Sequence, residues 1–177
     1  MRSTELIRAT ENTKIYLDMD GVLADFFHEY AKMAGVNDYR SIPPASADPT
    51  LDKMVGTDFF RKLPKFPTTD ALVNLALKYV KNYNICSSPL LNDYANSCKW
   101  KKIWIKENLN PQPAEIIITP NKERHAVNAD GSPNILIDDR GVNIVAWRAH
   151  GGIGIKYQAD EDSLNLVAKG LQHAFGR

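Results

Sequence analysis

Four short stretches of the chain carry groups that could do chemistry together. Asp18-Met19-Asp20-Gly21 sets two carboxylates two residues apart, and Ser87-Ser88 supplies two hydroxyls. Thr119-Pro120-Asn121-Lys122 supplies an ammonium, and Asp138-Asp139 adds two more carboxylates. Each piece alone has an ordinary explanation. Asp-x-Asp-Gly is a common turn, Ser-Ser-Pro or Asp-Asp-Arg can cap a helix, and a lone lysine usually lies in solvent. Together they form the set that phosphoryl transfer needs. Clustered carboxylates raise one another's pKa values unless a cation sits among them. Oxygen-only donors suit Mg²⁺, which takes one or two carboxylates and keeps waters that a phosphate can replace. Asp18, Asp20, Asp138 and Asp139 are therefore candidate metal-holding groups, with Ser87, Ser88 and Lys122 candidate partners of a phosphoryl group.

These groups converge only if the elements carrying them end at one place. Lys14–Asp20, Tyr83–Ser88, Glu115–Thr119 and Asn134–Asp139 read as strands, and Ile153–Tyr157 as a weaker fifth. Their apolar runs are continuous rather than alternating, which predicts a parallel sheet covered on both faces. Helical spacing predicts helices over Asp70–Lys81, Asn92–Leu109 and Asp162–Phe175. Alternating strands and helices predict an α/β fold: a doubly wound, Rossmann-like parallel sheet of about five strands. In such sheets ligands bind beyond the carboxyl ends of the strands, where the four stretches would meet.

From His28 to Thr69 the rhythm breaks, with short helical pieces, Pro43, Pro44, Pro49, Pro64 and Pro67, and no good strand. A segment of this length is too long for an ordinary connection. It predicts a small helical cap inserted after the first strand, residues 28–69, over a core of residues 1–27 and 70–177. Because strand-end groups handle only the phosphate, the rest of a substrate would meet this insertion. Phe26, Phe59 and Phe60 are the candidates to line its pocket, since nucleobases stack on aromatic rings.

The chain has 177 residues, 44% of them apolar and 24% charged, which fits one globular domain and no disordered or fibrous chain. Its 22 Lys and Arg against 21 Asp and Glu leave a formal charge of +1, so no long nucleic acid is expected as partner. Cys86 and Cys98 match no zinc spacing and are expected to be small core residues in a reducing compartment. Without an apolar N-terminal run or a membrane-length apolar stretch, the expected location is the cytoplasm. A homodimer is one assembly that the sequence allows.

The nonapeptide Asp18-Met19-Asp20-Gly21-Val22-Leu23-Ala24-Asp25-Phe26 resembles the first motif of the haloacid dehalogenase superfamily of aspartate-nucleophile phosphatases. Within that superfamily it is most similar to the 5′(3′)-deoxyribonucleotidases. Ile85–Leu91 resembles the second motif, with Ser87 where Thr is commoner; Thr119–Lys122 resembles the third and Ile135–Arg140 the fourth. Asp58–Leu63 resembles the Phe-Phe stretch of that family's cap.

The resemblance implies an Mg²⁺-dependent phosphomonoesterase acting on a small-molecule nucleotide, a deoxyribonucleoside 5′(3′)-monophosphate. Asp18 would be the nucleophile, Asp20 the acid and base, and Lys122 a charge partner of the phosphoryl oxygens. Mg²⁺ would be held by Asp18, the main-chain carbonyl of Asp20 and one of Asp138 and Asp139, Asp139 being the better match. The rival readings are a phosphatase for another small phosphomonoester, a polynucleotide 3′-phosphatase, and a non-catalytic nucleotide- or metal-binding protein on the same fold. Neither a P-loop nor a complete dinucleotide fingerprint is present, since Gly151-Gly152-Ile153-Gly154 precedes a strand rather than a helix.

Overall fold

The computed structural model describes residues 6–177. The first five residues of the N-terminal stretch, read above as free of a secretory leader, lie outside the described residues. Five strands, β1 (Ile15–Leu17), β2 (Asn84–Ser87), β3 (Glu115–Ile118), β4 (Ile135–Asp138) and β5 (Ile153–Lys156), form one sheet in the order β3-β2-β1-β4-β5. Every pairing is parallel.

Alternate residues of the strands feed two cores, as the twofold repeat of a strand requires. Ile15, Leu17, Ile85, Ile135, Ile137 and Ile155 face one side. There they meet helices α3 (Thr69–Ala76), α4 (Tyr94–Asn108) and α6 (Leu164–Phe175), through Leu72, Trp104 and Leu171 among others. Tyr16, Cys86 and Leu136 face the other side, under Ile144 and Trp147 of α5 (Gly141–Ala149). The central strands β1, β2 and β4 are buried along their whole length, but β3 is not. As an edge strand it exposes Glu115 and half-exposes its three isoleucines, so the prediction of strands covered on both faces fails there.

Helix α5 is absent from the sequence-based elements, because Gly141-Val142-Asn143-Ile144-Val145 is poor in strong helix formers. Its first turn is anchored from outside, by the Asp138 carboxylate accepting from the Arg140 N–H at 2.8 Å. The Gly151–Gly154 run serves packing. A Cβ at Gly152 would strike the Trp147 indole, and one at Gly154 would lie 2.8 Å from Ile144, so the glycines let α5 lie close on β5.

Between β1 and α3 the chain makes two helices, α1 (Phe26–Ala34) and α2 (Pro44–Asp52), two 3-10 turns at Tyr39–Ser41 and Phe59–Lys62, and no strand. Asp25 caps α1 by accepting from the His28 N–H, and Gly35 ends it with φ +73°. The two ends of this excursion are tied together. The Asp25 N–H donates to the Pro64 carbonyl at 2.8 Å, and the Phe66 N–H donates to the Leu23 carbonyl at 2.9 Å. No helix among the described residues is long and apolar enough to cross a membrane.

Candidate active site

The direction of the sheet connections reverses at β1, which lies between β2 and β4, and the candidate groups gather at the carboxyl ends there. β1 ends one residue before Asp18, whose N–H donates to the Ile137 carbonyl of β4 at 2.9 Å. Asp20 therefore sits in the following turn, not on the strand. The Met19 carbonyl accepts from the N–H groups of Val22, Leu23 and Ala24, which folds the turn back on itself. Gly21 has φ +82°, and a Cβ there would lie 2.7 Å from Asp139 Oδ2. Glycine is required twice, for the backbone angle and for the approach of that carboxylate.

Lys122 begins a 3-10 turn after β3 and is buried. Its Nζ donates to Asp18 Oδ1 at 2.9 Å and to Asp138 Oδ2 at 2.7 Å. Burial opposes the charge on this ammonium, but Asp18 and Asp138 more than offset that and hold its pKa above the usual lysine value. Asp138 is fully buried, and its oxygens accept from Lys122, from the Arg140 N–H and from Asn143 Nδ2. Asp139 has no such donors among the described residues. Burial, and then the neighbouring charges of Asp18 and Asp138, push its carboxyl well above the ordinary carboxylate range. A cation relieves that kind of crowding. Carboxylate oxygens of Asp18, Asp138 and Asp139 lie within 4.8 Å of one another, a set that could hold a metal ion. The donors already on Asp138 leave Asp18 and Asp139 as the freer pair.

These groups border a cleft of about 460 Å³, within the ~300–1,000 Å³ of small-molecule sites. Asp18, Asp20, Ser88, Asp139, Phe26 and Phe60 all line it, so the structure brings together most of the residues singled out in the sequence. Phe26 stacks on Phe60 with ring centroids 6.4 Å apart and planes 12° apart. Lys122, Asp138 and Ser87 are bonded to lining residues or their partners without lining the cleft themselves, and only Phe59 among the candidates lies elsewhere. Phe59 faces a separate groove with Met33 and Lys53, because consecutive residues of a tight turn point in different directions. Ser87 is wholly buried behind Ser88. The sequence reading missed Phe27, Tyr30, Leu51, Leu90 and Arg140 on the walls of the cleft.

It also missed Lys101. This lysine of α4 is buried, and its Nζ donates to Asp20 Oδ2 at 2.7 Å, Ser87 Oγ at 3.0 Å and the Ser88 carbonyl at 2.6 Å. The one available signal was its spacing. Ser97, Lys101, Trp104 and Ile105 make up the buried stripe of α4, while Lys99, Lys102 and Lys106 are exposed. A larger groove of about 770 Å³ lies at the opposite end of the sheet, bordered by Thr10, Lys14, Lys81 and Glu115, away from all of these groups. Of the two cysteines, Cys86 is buried as expected, whereas Cys98 is only half-buried.

No family model matches the chain. In sequence it is 28% identical, over 149 residues, to the cytosolic type of 5′(3′)-deoxyribonucleotidase from Homo sapiens, covering 73% of this chain and 71% of that protein. In structure it is similar to a hydrolase from Streptococcus pneumoniae TIGR4, with TM-score 0.52 and 13% identity over 89% of this chain and 99% of that one. A HAD family enzyme from Bacteroides thetaiotaomicron, crystallised as a magnesium complex, gives TM-score 0.50 and 18% identity over the same shares of the two chains, 89% and 99%. The chain therefore has the α/β fold of the haloacid dehalogenase-like hydrolases, and in sequence it is similar to the 5′(3′)-deoxyribonucleotidases.

Proposed function

We propose that this protein is an Mg²⁺-dependent phosphomonoesterase that hydrolyses deoxyribonucleoside monophosphates, with the segment of residues 28–69 acting as a cap over the strand ends. The observation that carries the proposal is the junction of two unlike surfaces. A charged floor of Asp18, Lys122, Asp138 and Asp139 adjoins an apolar wall that includes Phe26, Tyr30, Leu51 and Phe60. A phosphate needs the first surface and a nucleoside the second. A sugar phosphate would leave the aromatic wall without a partner.

In this reading Asp18 attacks phosphorus in line, and the bond to the nucleoside oxygen breaks as an aspartyl-phosphate forms. Asp20 protonates that leaving oxygen, then takes a proton from the water that attacks the aspartyl-phosphate, so that phosphate leaves and Asp18 is restored. Lys122 spends two of its three N–H donors on Asp18 and Asp138, which leaves one for a phosphoryl oxygen. Ser87 Oγ accepts from Lys101 and keeps its own proton to donate. Mg²⁺ fits the oxygen-only donors Asp18 and Asp139, with the Asp20 carbonyl, and when bound it would offset negative charge on the phosphoryl group.

Phosphate release from a panel of deoxyribonucleoside 5′- and 3′-monophosphates, sugar phosphates and 3′-phosphorylated oligonucleotides tests the proposal. Deoxyribonucleotides should be the best substrates, EDTA should stop release, and folded Asp18→Asn should lose activity by roughly 10⁴–10⁶-fold, as nucleophile removal does elsewhere. Faster turnover of sugar phosphates or oligonucleotides would reassign the substrate. No release from any ester, or full activity in Asp18→Asn, would overturn the reaction.

A further inference from the structure

Lys101 has a bonding pattern that no part of the reaction above uses. An ammonium has three N–H donors, and here all three are taken, by Asp20 Oδ2, Ser87 Oγ and the Ser88 carbonyl. The Phe60 ring covers the same Nζ, with its centroid 4.7 Å away. Lys101 therefore has no donor left for a phosphate unless it gives one of these up. Its acceptors all belong to the candidate site and none to the rest of the fold.

The dependence is stronger from the other end. Lys101 is the one polar partner that the Asp20 carboxylate has among the described residues, because Asp20 Oδ1 is buried without a hydrogen bond. The direction of the Asp20 carboxyl thus rests on one contact, from a helix outside the strand-end motifs. We propose that Lys101 is a positioning residue for Asp20: it fixes the orientation in which Asp20 exchanges protons with the leaving oxygen and with water, and Phe60 shields the contact from solvent. The proposal rests on the phosphomonoesterase reading. It adds a residue whose loss should affect proton transfer at the leaving oxygen and at water without affecting the attack of Asp18 on phosphorus.

That separation gives the test. A nucleoside alkoxide or phenoxide is a poor leaving group and needs the acid, whereas p-nitrophenoxide departs with little help. Lys101→Met is expected to lower kcat/KM, which reports the steps through departure of the leaving group, by ~10–10²-fold for a deoxyribonucleoside monophosphate and for phenyl phosphate, the scale of a misplaced catalytic group. For p-nitrophenyl phosphate kcat/KM should fall ~10-fold less, because acid catalysis supplies its ~10²–10⁴-fold only where the leaving group needs it and kcat/KM excludes the later attack of water that all esters share. Adding Lys101→Met to Asp20→Asn should slow the enzyme no further. If Lys101→Met does not fold, Lys101→Gln keeps two donors for Ser87 and Ser88 while removing the ion pair, and should show the same substrate split. Equal losses on all three esters, or multiplicative losses in the double variant, would overturn the proposal while leaving the phosphomonoesterase reading intact. A wild-type protein that hydrolyses none of the three would overturn both.

Discussion

Two lysines are buried at the carboxyl edge of the sheet, with 3% and 1% of their surface exposed, and they are bonded in opposite ways. Lys122 lies between two carboxylates, Asp18 and Asp138, and keeps a donor in reserve. Lys101 meets one carboxylate and two neutral oxygens and keeps none. An ammonium with a spare donor among acids can act on an incoming anion; a saturated one can only hold its neighbours still. Under the proposed reaction, identical side chains at similar burial would thus divide into a charge that works on substrate and a fastening that works on another residue.

The most direct way to break this comparison is Lys122→Met. Removing a preorganised donor to the phosphoryl group should cost ~10²–10³-fold in kcat. The loss should be alike for p-nitrophenyl and nucleoside esters, because Lys122 does not touch Asp20. A loss confined to poor leaving groups would give both lysines the same role. The variant also leaves Asp18 and Asp138 without their shared cation. By the cost of breaking a buried pair, its metal-free form should lose ~3–5 kcal/mol in denaturant unfolding.

A smaller effect is expected from Gly21→Ala, whose Cβ would meet Asp139 on the Lys122 side and Phe27 on the cleft wall. Its Cβ would press on Asp139 Oδ2 from a backbone angle that L-residues rarely adopt, a strain of ~1–3 kcal/mol. Calorimetric titration with Mg²⁺ should show weaker binding, with the leaving-group dependence unchanged. Tight binding and an altered leaving-group dependence would mean that the turn serves Asp20 instead.

The smallest effect is one of access. Burial pushes the Cys86 thiol, beside Lys122, up to about 12, whereas Cys98, one turn before Lys101 on α4, is half-buried. Native alkylation at pH 8, read by mass spectrometry, should label Cys98 and spare Cys86. Labelling of Cys86 would show that the Lys122 side opens.

The Lys122 side was legible in the sequence and the Lys101 side was not, for a physical reason. Asp18, Ser87, Lys122 and Asp138 follow or end apolar strands, so the parallel arrangement that buries those strands also gathers their ends. Lys101 stands among three exposed lysines on one helix, and only the rotation of α4 about its axis distinguishes it. The aromatic candidates show the same limit. Phe59 and Phe60 are neighbours in sequence, and a single tight turn sends Phe60 to the cleft and Phe59 away from it. Helix α5 was invisible because its first residues are weak helix formers and the anchor that offsets this is the Asp138 side chain, a residue of the preceding strand.

The two main-chain bonds that tie Asp25 to Pro64 and Leu23 to Phe66 have a consequence for how the molecule can change. They pinch the excursion after β1 into a neck about one bonded pair wide, with Ala24 and Lys65 bridged across it. A chain closed at its base pays its loop-closure entropy there, and because that entropy grows only slowly with length, what lies beyond the neck can lengthen or shorten at little thermodynamic cost. Beyond the neck, Phe60 and Leu63 still pack into the core that the strands share. If the proposed reaction holds, new walls can be fitted over its centre by exchanging one stretch of chain, on the condition that the replacement still packs where Phe60 and Leu63 do and still covers Lys101.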